Sequence, residues 1–262
     1  MNFDTLECTI HDQIAHVWLN RPDVHNAFNA TVIAELHACF DELDGRDDVR
    51  VVVLGGRGKS FSAGADLTWI KQMGEADFNT NSQDALKLAK MLHRIATLTK
   101  PTIARVHGAA LGGGMGLASA CDICVASSAA KFATSEVRLG LSPSTISPYV
   151  IKAIGARQAG RYFLTAERID AKQAHAIGLV HEVTDDEMGL DALIDDLIDN
   201  ILKGAPKAQH ASKELIDMVA HADIDDELLQ KTANHIAKIR TGDEAKSGLG
   251  AFLSKQTPTW IK

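Results

Sequence analysis

The sequence predicts an α/β fold followed by a helical C-terminal part. Three observations carry that prediction. Short apolar runs alternate with amphipathic helical runs through the first half, and strand-like runs nearly cease after about residue 143. The clearest helical spacing, Leu190, Leu193, Ile194, Leu197, Ile198 and Ile201, lies beyond that point. In chain order, residues 6–10 and Ile14–Leu19 read as two strands around His11-Asp12-Gln13, and Arg21-Pro22-Asp23 marks a turn. Asn29 can cap a helix whose Ile33, Leu36, Phe40 and Leu43 share one face. Residues 51–54 form a short buried strand. Ser82 reads as the start of an amphipathic helix aligning Ala85, Leu88, Leu92 and Ile95, which Pro101 stops before the strand Thr102–Val106. The expected division is a core over residues 1–200 and a helical subdomain over residues 201–262, with no low-complexity linker between them.

Composition narrows the function. The 262 residues are 45% hydrophobic and 23% charged, which suits a folded protein and excludes disorder as the main state. A net charge of −7 argues against nucleic acid as a partner. Met1-Asn2-Phe3-Asp4 has neither the basic nor the apolar segment of a secretory signal, and four cysteines are too few for a disulfide framework, so a cytoplasmic location is expected. Cys121 and Cys124 match Cys-x-x-Cys without a second pair and, in a strand-like run, read as buried structural thiols. The eleven histidines contain no His-Glu-x-x-His, so no metal is expected. Residues 182–199 hold eight carboxylates without Lys or Arg and read as a solvated face.

Two motifs are near misses. Gly55-Gly56-Arg57-Gly58-Lys59-Ser60 ends like a phosphate-binding loop, but Val53 stands where its first glycine belongs. Residues 108–130 are nearly uncharged, yet they are Gly, Ala and Ser around Asp122 and lack the apolarity of a spanning helix, so no membrane is expected. A serine hydrolase has no anchor either, since Gly-x-Ser-x-Gly does not occur.

Two strand-to-helix turns remain as carriers of chemistry. The run from Gly108 through Gly112-Gly113-Gly114-Met115-Gly116 follows a strand and precedes a helical stretch. Its N–H groups could face an anion or a developing oxyanion, or its glycines could serve close strand–helix packing. Phe61-Ser62-Ala63-Gly64-Ala65-Asp66 likewise follows a strand and leads into a helical run over 67–73. One N–H from each turn would suffice for a shared oxyanion hole.

Taken together with Arg21-Pro22-Asp23-Val24-His25-Asn26-Ala27, Lys100-Pro101-Thr102-Ile103-Ala104, Cys121-Asp122-Ile123, Ala176-Ile177-Gly178-Leu179-Val180 and Ala251-Phe252, these turns resemble the crotonase (enoyl-CoA hydratase/isomerase) family over essentially the whole chain. The resemblance implies a spiral of ββα units with C-terminal helices that build a homotrimer or a hexamer, and an acyl-CoA thioester as substrate. Coenzyme A belongs to that substrate, and no other cofactor is implied. By the same resemblance, the N–H groups of Ala65 and Gly113 hold the thioester oxygen. Val24, His25, Ala27, Ala63, Gly64, Asp66, Gly112, Gly116 and Leu141 line the substrate path.

The family places one glutamate two positions after the third glycine of the run and another about 20 residues later. The second is Glu136 here, in Ser135-Glu136-Val137-Arg138-Leu139-Gly140-Leu141, the expected catalytic acid/base, among apolar neighbours that would raise its pKa. The first is replaced by Gly116. The stretch from Ser135 through Pro143, Ile146-Ser147-Pro148-Tyr149-Val150 and Ile154-Gly155 is similar to bacterial 3-methylglutaconyl-CoA hydratases. The expected activity is therefore addition of water to a 2-enoyl-CoA, with the substrate's distal carboxylate, Ser119, Ser142 or Ser144 positioning the water. The alternatives are a Δ3,Δ2-enoyl-CoA isomerase using Glu136 alone and a non-catalytic acyl-CoA- or RNA-binding protein. His107 reads as a packing residue beside the site, and Lys255 and Lys262 as candidates to meet CoA phosphates.

Overall fold

The structure is a computed structural model and describes residues 1–261; Lys262 lies outside the described residues. A hairpin opens the chain. Strands β1 (Leu6–His11) and β2 (Ile14–Leu19) pair antiparallel, and Asp12 and Gln13 at the turn both hold positive φ, the geometry that matches the twist of a two-residue hairpin. From β2 onward the sheet is parallel. Strands β3 (Val51–Gly56), β4 (Thr102–Val106), β6 (Ile123–Ser127) and β9 (Glu182–Thr184) extend it in the order β1-β2-β3-β4-β6-β9.

Both faces of this sheet are covered, and strand alternation says by what. Val52 and Leu54 turn toward a core that includes Ile33, Leu36, Phe40 and Leu43 of helix α1 (Ala30–Asp44) and Met91, Leu92 and Ile95 of α3 (Phe78–Ala96). Val51 and Val53 turn the other way, with Ile103 and Val125, onto Leu190, Ile194 and Ile198 of α7 (Glu187–Lys203). A strand buried on both sides needs a continuous apolar run, which is what β3 has. Asn29 caps α1 through Val32 N–H at 2.9 Å, as expected. Helix α3, by contrast, starts at Phe78 under an Asp77 cap that accepts from Thr80 N–H at 2.7 Å, four residues ahead of the expected Ser82. Its first turn is exposed and lacks the apolar stripe that the spacing followed.

A second, three-stranded sheet positions the site. It joins β5 (Ala109–Leu111), β7 (Lys131–Ala133) and β8 (Ile169–Asp170). Helix α2 (Leu67–Glu75) leaves one site turn and α4 (Gly113–Ala120) leaves the other. After α5 (Ser147–Thr165) and α6 (Ala171–Ala176), the chain continues through α7 into α8 (Pro206–Val219), α9 (Asp226–Thr241) and α10 (Asp243–Leu253). The 200/201 division falls within α7. No helix among the described residues is long and apolar enough to cross a membrane.

Candidate active site

Four chain segments lie side by side because their main chains are hydrogen-bonded in series. Phe28 N–H donates to Gly64 O at 2.7 Å and Asp66 N–H to Phe28 O at 2.8 Å, which bridges residues 28 and 65 in parallel. Ser62 N–H then donates to Ala109 O and Leu111 N–H to Ser62 O, both at 2.9 Å. Gly112 N–H donates to Ala133 O at 2.8 Å, and Glu136 follows three residues later at the start of a 3₁₀ turn, Glu136–Leu139.

Each segment is locked locally. Asn26 is buried: its Oδ1 accepts from Arg21 N–H at 2.8 Å, and its Nδ2 donates to Arg57 O and Ser60 O at 2.9 and 2.8 Å. Arg21 donates to Ala27 O at 2.7 Å and pairs with Asp66 at 3.0 Å, which holds the Asp66 carboxyl below the usual carboxylate range. Asp66 also caps α2 through Thr68 N–H. The sequence flagged this loop, but not Asn26 as the residue tying it to the next one. A polar side chain beside a residue already placed on the substrate path was the available signal.

The geometry converges at Gly112. Its φ of 48° is a left-handed conformation that suits glycine. A Cβ on it would stand 3.1 Å from Glu136 Oε1 and 3.9 Å from the Gly64 Cα. Gly113, next in the chain, opens α4, so its N–H has no acceptor within the helix. Ala65 N–H, on the residue after Gly64, is paired with no acceptor among the described residues. Glu136 is half-buried, its Oε2 is shielded with no partner among the described residues, and burial raises its pKa. An acid whose pKa is raised, on a residue packed against the turn that carries such an amide, is the kind of group that can move a proton next to a polarised carbonyl.

The other expected residues fall around this centre. Ala63 N–H donates to His25 O at 2.9 Å, and Leu141 N–H donates to Glu136 O at 3.1 Å. Val24 and Leu141 are exposed. Gly116 lies one turn into α4 and is buried. A Cβ there would come within 2.2 Å of Ile146 Cγ2, so an aliphatic side chain, not a hydroxyl, holds that space. Ser119 donates to Met115 O at 2.8 Å within its helix, and the Ser142 and Ser144 hydroxyls bond each other at 2.6 Å in solvent. His107 is buried between Gly58 O at 2.9 Å and Arg105 at 3.3 Å, a packing position.

Cys121 follows α4 and only Cys124 lies in a strand, which corrects the strand-like run expected for both. Both thiols are free, and burial pushes Cys124 up to about 12 and Cys121 up as well. No group of three or more potential metal ligands occurs among the described residues. Lys255 is exposed, and Lys262 lies outside the described residues.

A profile of the enoyl-CoA hydratase/isomerase family matches residues 9–262. The chain belongs to that family. A short-chain-enoyl-CoA hydratase of Clostridium acetobutylicum is 33% identical over 93% of this chain and 92% of its own length. The crystal structure of an enoyl-CoA hydratase from Shewanella pealeana superposes with a TM-score of 0.96 at 40% identity, covering 98% of this chain and 96% of that one. An enoyl-CoA hydratase/isomerase from Marinobacter aquaeolei gives 0.93 at 31% identity, covering 99% of this chain and 100% of that one. The fold is thus the crotonase fold, and these relatives are named as enoyl-CoA hydratases or hydratase/isomerases. At Gly116, where the resemblance led to the expectation of a second glutamate, Ile146 stands against the main chain.

Proposed function

We propose that this chain adds water reversibly to a 2-enoyl-CoA thioester of the 3-methylglutaconyl type, with Glu136 as acid/base and the Ala65 and Gly113 N–H groups as oxyanion hole. The observation that carries the reading is the half-buried Glu136 carboxyl, unpaired at Oε2 and set against Gly112, the residue next to Gly113 and close to Gly64, which precedes Ala65. One carboxyl is enough for the proton balance. Glu136 takes a proton from water as the oxygen bonds to the β-carbon, and the electron pair of the double bond moves toward the thioester oxygen. The amides hold that charge until Glu136 returns the same proton to the α-carbon. Each such amide is worth about 3 kcal/mol of barrier lowering.

The loops bearing Val24, His25, Ala27, Ala63, Gly64 and Asp66 are the proposed path for coenzyme A. A distal carboxylate on the acyl group would help hold the water that no side chain at residue 116 can hold. Exposed apolar side chains, Ile224 in the loop between α8 and α9 and Leu249, Phe252 and Leu253 on α10, support assembly into a trimer or hexamer.

The apolar filling beside Gly116 favours a second reading, a Δ3,Δ2-enoyl-CoA isomerase in which Glu136 carries a proton between two carbons. Assay of purified protein separates them. Loss of 2-enoyl absorbance on hydration supports the lyase, and conversion of a 3-enoyl to a 2-enoyl thioester supports the isomerase. Binding of the thioesters without any turnover would overturn both.

A further inference from the structure

We infer that Ile146 is a specificity-determining residue: it closes residue 116 to any side chain and thereby leaves Glu136 as the single acid on that face of the site. Gly112 is the cap residue of α4, and Gly116 N–H donates to its carbonyl at 3.1 Å, which places Gly116 one helical turn along from it. Glu136 lies against the first and Ile146 against the second. A Cβ on Gly116 would stand 2.2 Å from Ile146 Cγ2, 2.6 Å from its Cβ and 3.5 Å from its Cα. Rotation about χ1 does not relieve an approach to the Cβ itself, and a β-branched side chain has few alternatives in any case. The Ile146 backbone is fixed as well: its carbonyl accepts from Tyr149 and Val150 N–H at 3.1 Å each in the first turn of α5, and the residue is 2% exposed within the main core.

Residues 116 and 146 are therefore one steric unit. While Ile146 stands, a second carboxyl cannot enter beside Glu136, and the enzyme depends on an acyl group that brings its own polar end to hold water. Removing the isoleucine side chain opens the volume in which an acid at residue 116 fits. This inference rests on the reading of Glu136 as acid/base, and the experiment separates the two.

The test compares four proteins, wild type, I146G, G116E and the double variant G116E/I146G, by thermal unfolding and by hydration of crotonyl-CoA, which has no distal carboxylate, against a glutaconyl-type thioester. Glycine is used at residue 146 because alanine would keep the Cβ that stands 2.6 Å from a Cβ on Gly116. G116E is expected to melt several degrees below wild type, and I146G in the same chain to recover part of that loss, so that the two changes are not additive. The double variant is expected to raise crotonyl-CoA hydration relative to the glutaconyl-type thioester by about tenfold over I146G, with an added acidic limb in its pH profile. Should G116E not yield soluble protein, a soluble double variant carries the same support.

Additive melting shifts, or a double variant with the substrate ratio and pH profile of I146G, overturn the inference. E136Q serves as the separate control. Full turnover by E136Q removes the reading of the site itself, whereas a dead E136Q alongside additive shifts removes only the role of Ile146.

Discussion

Glu136 and Arg105 both carry charge-bearing atoms out of water, and their surroundings treat them oppositely. Arg105, 5% exposed on β4, donates to Asp191 at 2.5 and 3.1 Å, to Glu187 at 3.3 Å and to His107 at 3.3 Å, and it stands 5.6 Å from the centre of the Trp18 ring. Its acids come from α7, so the network fastens that helix to the sheet. Glu136 has one oxygen shielded from solvent and left without a partner among the described residues. A saturated network holds the fold; an unsaturated acid costs stability and persists where the chemistry needs it. Part of the acidic run 182–199 is therefore not merely a solvated face, since Glu187 and Asp191 neutralise a buried guanidinium.

The largest effect should come from Glu136. E136Q is expected to lower kcat about 10²–10⁴-fold, measured by enoyl-CoA hydration. In the wild type, kcat/KM should fall as pH drops through the raised Glu136 pKa, because the carboxyl must be charged to take a proton from water. Stability moves the other way. A carboxyl whose pKa is raised on folding binds its proton more tightly in the folded state, so its contribution is fully present below the unfolded pKa and is lost as pH rises through the folded one. E136Q should therefore melt higher than wild type at neutral pH, and the gain should vanish in acid. A variant that loses activity and stability together at neutral pH would place Glu136 with Arg105, among groups that hold the fold.

The next effect concerns the gap between the acid and the amides. G112A puts an L side chain into a left-handed conformation, at about 1–2 kcal/mol, and its methyl group 3.1 Å from Glu136 Oε1. A fall in kcat/KM of about 100-fold is expected from displacement on that scale. Unchanged kinetics would mean that the reacting carbonyl lies elsewhere. Asp191 supplies the contrast. D191N should cost about 1 kcal/mol in a denaturant titration, modest because the carboxylate is more than half exposed, and leave kcat unchanged.

These regions differ in how far the sequence discloses them. The glycine turns are legible because close approach and positive φ require glycine, and those requirements fix a pattern over a few residues, whereas Glu136 is singled out only through the family resemblance. The strand β3 is legible because burial on two faces demands an unbroken apolar run. The Arg105 network is not, since its partners lie more than 80 residues away and only the packing of α7 brings them in. Ile146 is likewise silent: it meets Gly116 only because α5 packs against α4, and nothing local to either residue announces the contact. The start of α3 was missed because its first turn is held by the Asp77 cap while the apolar stripe begins later.

The smallest effect expected is that of S142A, and it bears on whether free and engaged polar groups really divide as Glu136 and Arg105 do. Ser142 was a sequence-based candidate to position water, yet its hydroxyl bonds Ser144 at 2.6 Å, and both residues are exposed. A group already hydrogen-bonded and wet gains little by turning toward substrate, and its removal leaves no buried partner unsatisfied. S142A should change kcat/KM by no more than about twofold and stability by no more than about 0.5 kcal/mol. A tenfold loss of hydration with unchanged thioester affinity would show that the Ser142–Ser144 pair opens in the bound complex to hold water. The missing second acid would then be supplied by the protein, and the dependence on a polar acyl end would lose its reason.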